Sequence, residues 1–201
     1  MKKYLFISII LFIFSGCTNT NNNLTIQEQI ELNKNSEKSK THLFENRTKI
    51  EVLEALKKVL LYSDGDDFKV TYFEDKVIIK RFTFIYYVFG FENTIYNIEI
   101  KVQEKDNNII FTSSASASTG GIPAGVTINI ESPLFYDFLY NRIEYVLNMD
   151  NPRNPYKWVT CDEEIEKIAK KYTRVQAAEL APLCSLANDS TPEEYIKKHD
   201  K

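Results

Sequence analysis

The stretch TIYNIEIKVQ, Thr94 to Gln103, alternates without a break. Tyr96, Ile98, Ile100 and Val102 fall on one side, and Asn97, Glu99, Lys101 and Gln103 on the other. A period of two marks a β-strand, and the division into an apolar and a polar side means a sheet with one face covered and one open to water. Upstream, FKVTYF (Phe68–Phe73) and KVIIKRFTFIYYVF (Lys76–Phe89) flank Glu74 and Asp75 and read as a hairpin. Downstream, NIIFTSSASAS (Asn108–Ser118) returns after EKDNN to make a second hairpin with the opening strand. Val126, Ile128 and Ile130, after the turn GGIPAG, supply a further short strand. The expectation is an antiparallel sheet of four to five strands.

Two helices bracket it. TKIEVLEALKKVLLYS opens with Thr48 and Glu51 at capping-box spacing, and Val52, Leu53, Leu56, Val59 and Leu60 follow at helical spacing. Ser132 and Pro133 then start LFYDFLYNRIEYVL, whose broad apolar side is interrupted by Arg142. With both apolar stripes offered to the sheet's apolar face, the fold class is α+β. DGDD (Asp64–Asp67) between helix and sheet lacks the glycine that a calcium loop requires, so it reads as a solvated turn.

Past NMDNPRNPYKW (Asn148–Trp158) the character changes. Thr160 with Glu163, Thr173 with Gln176, and Thr191 with Glu194 behind Pro192 make three capping boxes, hence three short helices. Their apolar complement is small: Ile165, Ile168, Ala169, Tyr172, Val175, Leu180 and Leu183.

At the other end, Lys2 and Lys3 precede an apolar segment, Tyr4 to Phe14, that is too short for a comfortable membrane span and closes on Ser15 and Gly16. This is an export signal. Phe14, Ser15, Gly16 and Cys17 resemble the lipobox of bacterial lipoproteins, with Phe14 where an aliphatic residue is usual. The resemblance implies that Cys17 is acylated and becomes the first residue of the mature chain, so that the lipid bilayer is a partner. The alternative is an ordinary secretory signal with an incidental cysteine. Acyl chains contribute roughly 0.8 kcal/mol per buried CH₂, and more than one chain is needed for stable anchoring. Thr18 looks like an outer-membrane sorting residue of enterobacterial lipoproteins, which favours the periplasmic face of the outer membrane over the outer leaflet of the cytoplasmic membrane.

The expected organisation is a signal peptide over 1–16, a polar tether over 17–47, an α+β domain over 48–150 and a short-helix subdomain over 151–201. TNTNNNLTIQEQIELNKNSEKSKT has too few apolar residues for a core, with at most a weak helix over Thr25–Lys34. Once Cys17 is acylated, Cys161 and Cys184 are the cysteines that remain, and in an oxidising compartment a disulfide between them would close the weak C-terminal unit. Two buried thiols, or a metal or redox use, are the alternatives, although no histidine lies nearby and the spacing is far from CxxC. The chain carries 25 basic and 28 acidic side chains, and losing Lys2 and Lys3 leaves 23 against 28, a net charge near −5. That balance argues against nucleic acid as a partner.

Catalytic signals are absent. His42 falls in the tether and His199 two residues from the end, and no GxSxG, HExxH, Walker or dinucleotide pattern occurs. The reading is not an enzyme, with no cofactor and no metal. Two stretches stand out instead. FTFIYYVFGF puts Phe82, Phe84, Tyr86 and Val88 on one side and Ile85, Tyr87 and Phe89 on the other, so both sides need cover. The second side is open to the C-terminal helices, a partner protein or an apolar ligand. TSSASASTGGIPAG carries Thr112, Ser114, Ser116 and Ser118 on a strand that either frays or offers its edge to another chain. None of its serines has a nameable base.

The order helix, four strands, helix resembles small α+β modules of periplasmic lipoproteins in envelope assemblies, including the outer-membrane protein assembly machine. The expected function is therefore an accessory lipoprotein that docks on an envelope protein. The alternative is a binder or sensor of a small apolar ligand held between sheet and helix.

Overall fold

The computed structural model of the chain describes residues 27, 34–35, 37–64, 67–87, 90–120, 126–171, 180–184 and 191–199, with residues 64, 85–87, 90–92 and 167–171 described by backbone alone. The chain divides into two compact units, Met1–Asn33 and Lys34–Lys201, and the second holds the fold. The signal, Cys17, most of the helix expected over 25–34 and the capping box at Thr173 lie outside the described residues.

The elements are β1 (Thr41–Phe44), α1 (Lys49–Asp64), β2 (Phe68–Tyr72), β3 (Lys76–Tyr87), β4 (Gly90–Lys105), β5 (Asn108–Gly120), β6 (Thr127–Ile130), α2 (Pro133–Leu147), α3 (Cys161–Lys171) and α4 (Pro192–His199). The fold is α+β. The sheet runs β1-β5-β4-β3-β2, with β6 also on β5, and every pairing is antiparallel. Asp106 and Asn107, both at positive φ, make the tight turn between β4 and β5 that the strand twist favours.

Alternation places Val77, Ile79, Ile98, Ile100, Ile109 and Phe111 on one face, all buried. Val52, Leu56 and Val59 of α1 and Phe135, Leu139 and Ile143 of α2 close over that face as one cluster. Each side chain so buried contributes about 1.5–3 kcal/mol. The capping boxes that start α1, α3 and α4 are formed: Glu51 accepts from the Thr48 backbone N–H at 2.8 Å, Glu163 from that of Thr160 at 3.1 Å, and Glu194 from that of Thr191 at 3.0 Å.

The C-terminal segment packs on the same face. Trp158, Leu180 and Leu183 join the core, and buried Arg81 of β3 donates to the carbonyls of Ala181 and Cys184, both at 2.8 Å. The Cys161–Cys184 disulfide is present, with a Cα–Cα distance of 5.5 Å. The described parts of the C-terminal segment thus thicken the covered side.

Two expectations need correction. The sequence extends the polar tether to residue 47, yet Thr41–Phe44 is a strand of the sheet, in register from Thr41↔Thr112 to Phe44↔Ile109. Four residues among polar neighbours give too short a period to read, and Phe44 is drawn in because its fully buried ring meets Phe111 edge-on at 5.1 Å. The edge of Thr112–Ser118 is likewise not open. β1 pairs Ile109–Thr112 and β6 pairs Ala115–Ser118, end to end along the same side of β5. At the break between them Ser113 N–H donates to Lys40 O at 2.8 Å and Ala115 N–H to the Tyr136 hydroxyl at 3.2 Å. Tyr140, one turn along α2, donates to Lys40 O at 2.7 Å and pairs with Ser113 Oγ, also at 2.7 Å. Burial pushes both phenols above their ordinary pKa, which keeps them protonated for this role.

Candidate docking face

The second face of the sheet is built by the residues between the core positions. Register aligns Phe82 (β3), Ile95 (β4), Ser118 (β5) and Thr127 (β6) in one row, and Lys80, Asn97, Ser116 and Asn129 in the next. Ile78, Glu99 and Ser114 make a third, and Thr112 stands opposite both Lys101 and Thr41. Two stretches that the sequence presents as separate surfaces therefore share one face. Phe82 and Ser118 lie two strands apart, about 10 Å.

The apolar part is a patch. Phe82 is 52% exposed, Phe84 40% and Ile95 40%. The two phenylalanine rings lie 6.4 Å apart, tilted by 26°, and Ile95 stands directly across from Phe82. Single exposed apolar side chains need no explanation, but adjacent ones on a sheet face form a surface suited to a partner. Ile95 escaped the sequence reading, although its signal is visible there: it is the apolar residue in the polar row of Asn97 and Glu99. Tyr86 and Tyr87 pair with Phe91 and Gly90, and Ile85 with Glu92, as backbone. Phe89 lies outside the described residues.

The polar part is a shallow depression. Lys80, Asn97, Glu99, Ser114, Ser116 and Asn129 help to line a space of about 430 Å³. Its hollow follows from the serines, whose side chains are too short to fill the rows between longer neighbours. The Ser118 and Thr127 hydroxyls bond to each other at 2.9 Å, which occupies the one serine nearest the aromatic patch.

His42 is held far more firmly than its sequence position suggests. It belongs to β1, stacks on Tyr140 with ring centroids 4.9 Å apart, and places Nε2 3.0 Å from Glu144 Oε1. On the neighbouring turn of α2, burial raises the Asp137 carboxyl above its ordinary pKa. The pairing clasps β1 to α2. His199 caps the end of α4 through Nδ1, 2.8 Å from Tyr195 O. Among the described residues no three His, Cys, Asp or Glu side chains are grouped to share a metal ion, and no helix is long and apolar enough to cross a membrane. Comparison with protein-family models, with curated proteins and with solved structures finds no match to this chain.

Proposed function

We propose that the chain is a membrane-anchored accessory lipoprotein of a bacterial envelope, attached to the bilayer by acylated Cys17 and acting by docking an envelope protein on the open face of its sheet. The observation that carries this reading is the exposed Phe82–Phe84–Ile95 patch on the face opposite both helices and the C-terminal segment. The space between sheet and helices, where an apolar ligand would sit, holds the fully buried side chains of Phe44, Leu56, Phe111, Phe135 and Leu139. That filling favours docking over ligand carriage.

Docking centres concentrate binding energy in a few aromatic anchors, at 2 kcal/mol or more each, roughly thirtyfold in affinity. Phe82→Glu and Ile95→Glu place a charge on exposed positions, where it stays in water and leaves the core intact. Each variant is expected to unfold within a few degrees of the wild type and to lose partner capture from mildly crosslinked native membranes. Folded variants that retain the same partner at full strength would remove the face from consideration.

A further inference from the structure

Strand β2 is an edge of the sheet, as β1 and β6 are at its other end. β5 is occupied by β1 and β6, whereas β2 at the opposite end pairs with β3 alone, and among the described residues no backbone group bonds to its outer side. An edge of this kind presents a row of N–H and C=O groups spaced for another extended chain.

What lies beside that edge narrows the occupant. Phe68, Val70 and Tyr72 face the covered side, opposite Arg81, Ile79 and Val77 of β3. As the last strand, β2 has a neighbour for these side chains on one side only. Between them and α1 runs a groove of about 240 Å³, floored by Leu60, Phe68 and Val70 and rimmed by Leu61, Tyr72 and Lys57. Leu61 is 39% and Tyr72 46% exposed, because Leu61 falls outside the core stripe of Val52, Leu56 and Val59. An added strand would point every second side chain into this groove, and an apolar one suits it.

The other face of the edge is basic. Lys69 and Lys80 stand directly opposite each other, both exposed. Like charges so placed destabilise a strand pair, and an acidic residue on an added strand beside Lys69 would relieve the repulsion. Lys57 adds positive charge on the groove side, while Glu54 stands at the far end near Tyr72.

We propose that the outer edge of β2 receives an extended acidic segment of another protein as an additional strand, with apolar side chains in the α1–β2 groove and carboxylates against Lys69. The site shares no residue with the Phe82–Phe84–Ile95 patch and stands whether or not that patch docks a partner.

The test uses the full chain and a labelled ten-residue peptide of alternating valine and glutamate, followed by fluorescence anisotropy and by amide hydrogen exchange. Saturable binding should protect the amides of Phe68–Tyr72. Lys69→Glu and Leu61→Asp, both at exposed positions, should each weaken it at least tenfold, as should a central proline in the peptide. An alternating valine–lysine peptide should bind at least tenfold less tightly, and Phe82→Glu should leave binding unchanged. Absence of saturable binding, protection confined to other strands, or indifference to Lys69→Glu and Leu61→Asp would overturn the proposal. So would protection of β2 that rises with protein concentration alone, since a second copy would then be the occupant.

Discussion

Arg142 shows how a single side chain can organise a core. It is fully buried, with its guanidinium 4.2 Å from the ring of Phe138 and 4.3 Å from that of Trp158. It donates to Ser63 Oγ at 2.6 Å and, through Nη2, to Val159 O at 2.8 Å. One planar cation thereby joins the end of α1, the middle of α2 and the chain entering α3. Lysine has neither the fork nor the flat faces to do this. Arg142→Lys is expected to destabilise by about 1.5–3 kcal/mol, the range for lost hydrogen bonds to a charged group, and Arg142→Ala by about 3–5 kcal/mol once the cavity is added. Urea unfolding checks both, as a lower midpoint at unchanged slope. In the sequence Arg142 is only a break in an apolar stripe, because its partners lie far along the chain. Arg81 is illegible for the same reason: its alternation is visible, but the carbonyls of Ala181 and Cys184 that receive it are about a hundred residues away.

Among elements, α4 is held by an aromatic contact and a polar one. Tyr195 packs on Tyr62 with ring centroids 5.3 Å apart, and Glu193 accepts a 2.7 Å hydrogen bond from the Tyr145 hydroxyl. Burial, followed by the adjacent carboxylate, pushes the Tyr145 phenol up to about 12, and the bond it donates holds Glu193 below the ordinary carboxylate value of 4.5. A carboxyl whose folded pKa is depressed stabilises above its unfolded value and loses that contribution as pH falls through the folded one. The α4 contact should therefore be complete at neutral pH and loosen below about pH 4.5. Amide chemical shifts of Glu193–His199, followed from pH 7 to pH 3, should report that step ahead of any change in the sheet, and Tyr145→Phe should abolish it. The start of α4 was legible because a capping box is written in four consecutive residues. β1 was not, since THLF becomes a strand only against Ile109–Thr112, and neither was the occupied edge of β5, which depends on β1 and β6 together.

At the scale of the molecule, helices α1 and α2 and the residues Trp158, Cys161, Leu180 and Leu183 collect on one side of the sheet. The alternation of Thr94–Gln103 already requires one covered and one open face, and that much of the architecture is a local property of the chain. Which later segments supply the cover is not local: the excess of aromatics in Phe82–Phe91 points to a second apolar surface, and only the register places Phe82, Phe84 and Ile95 on the face opposite α1 and α2. An exposed sheet face of this kind gains from being held at a membrane, where partner and domain share a thin layer of solvent. The proposed anchor is separable from the fold. Cys17→Ser removes the attachment atom outside the unit Lys34–Lys201 that holds the fold, so the variant should leave the membrane fraction while its thermal unfolding matches that of the wild type. Intact mass of the membrane-extracted wild type should show acyl chains on Cys17. An unmodified thiol there would defeat the anchor while leaving the docking face standing, whereas a Cys17→Ser variant that is released, folded and still able to capture the partner in solution would show that the lipid contributes local concentration and the sheet contributes recognition.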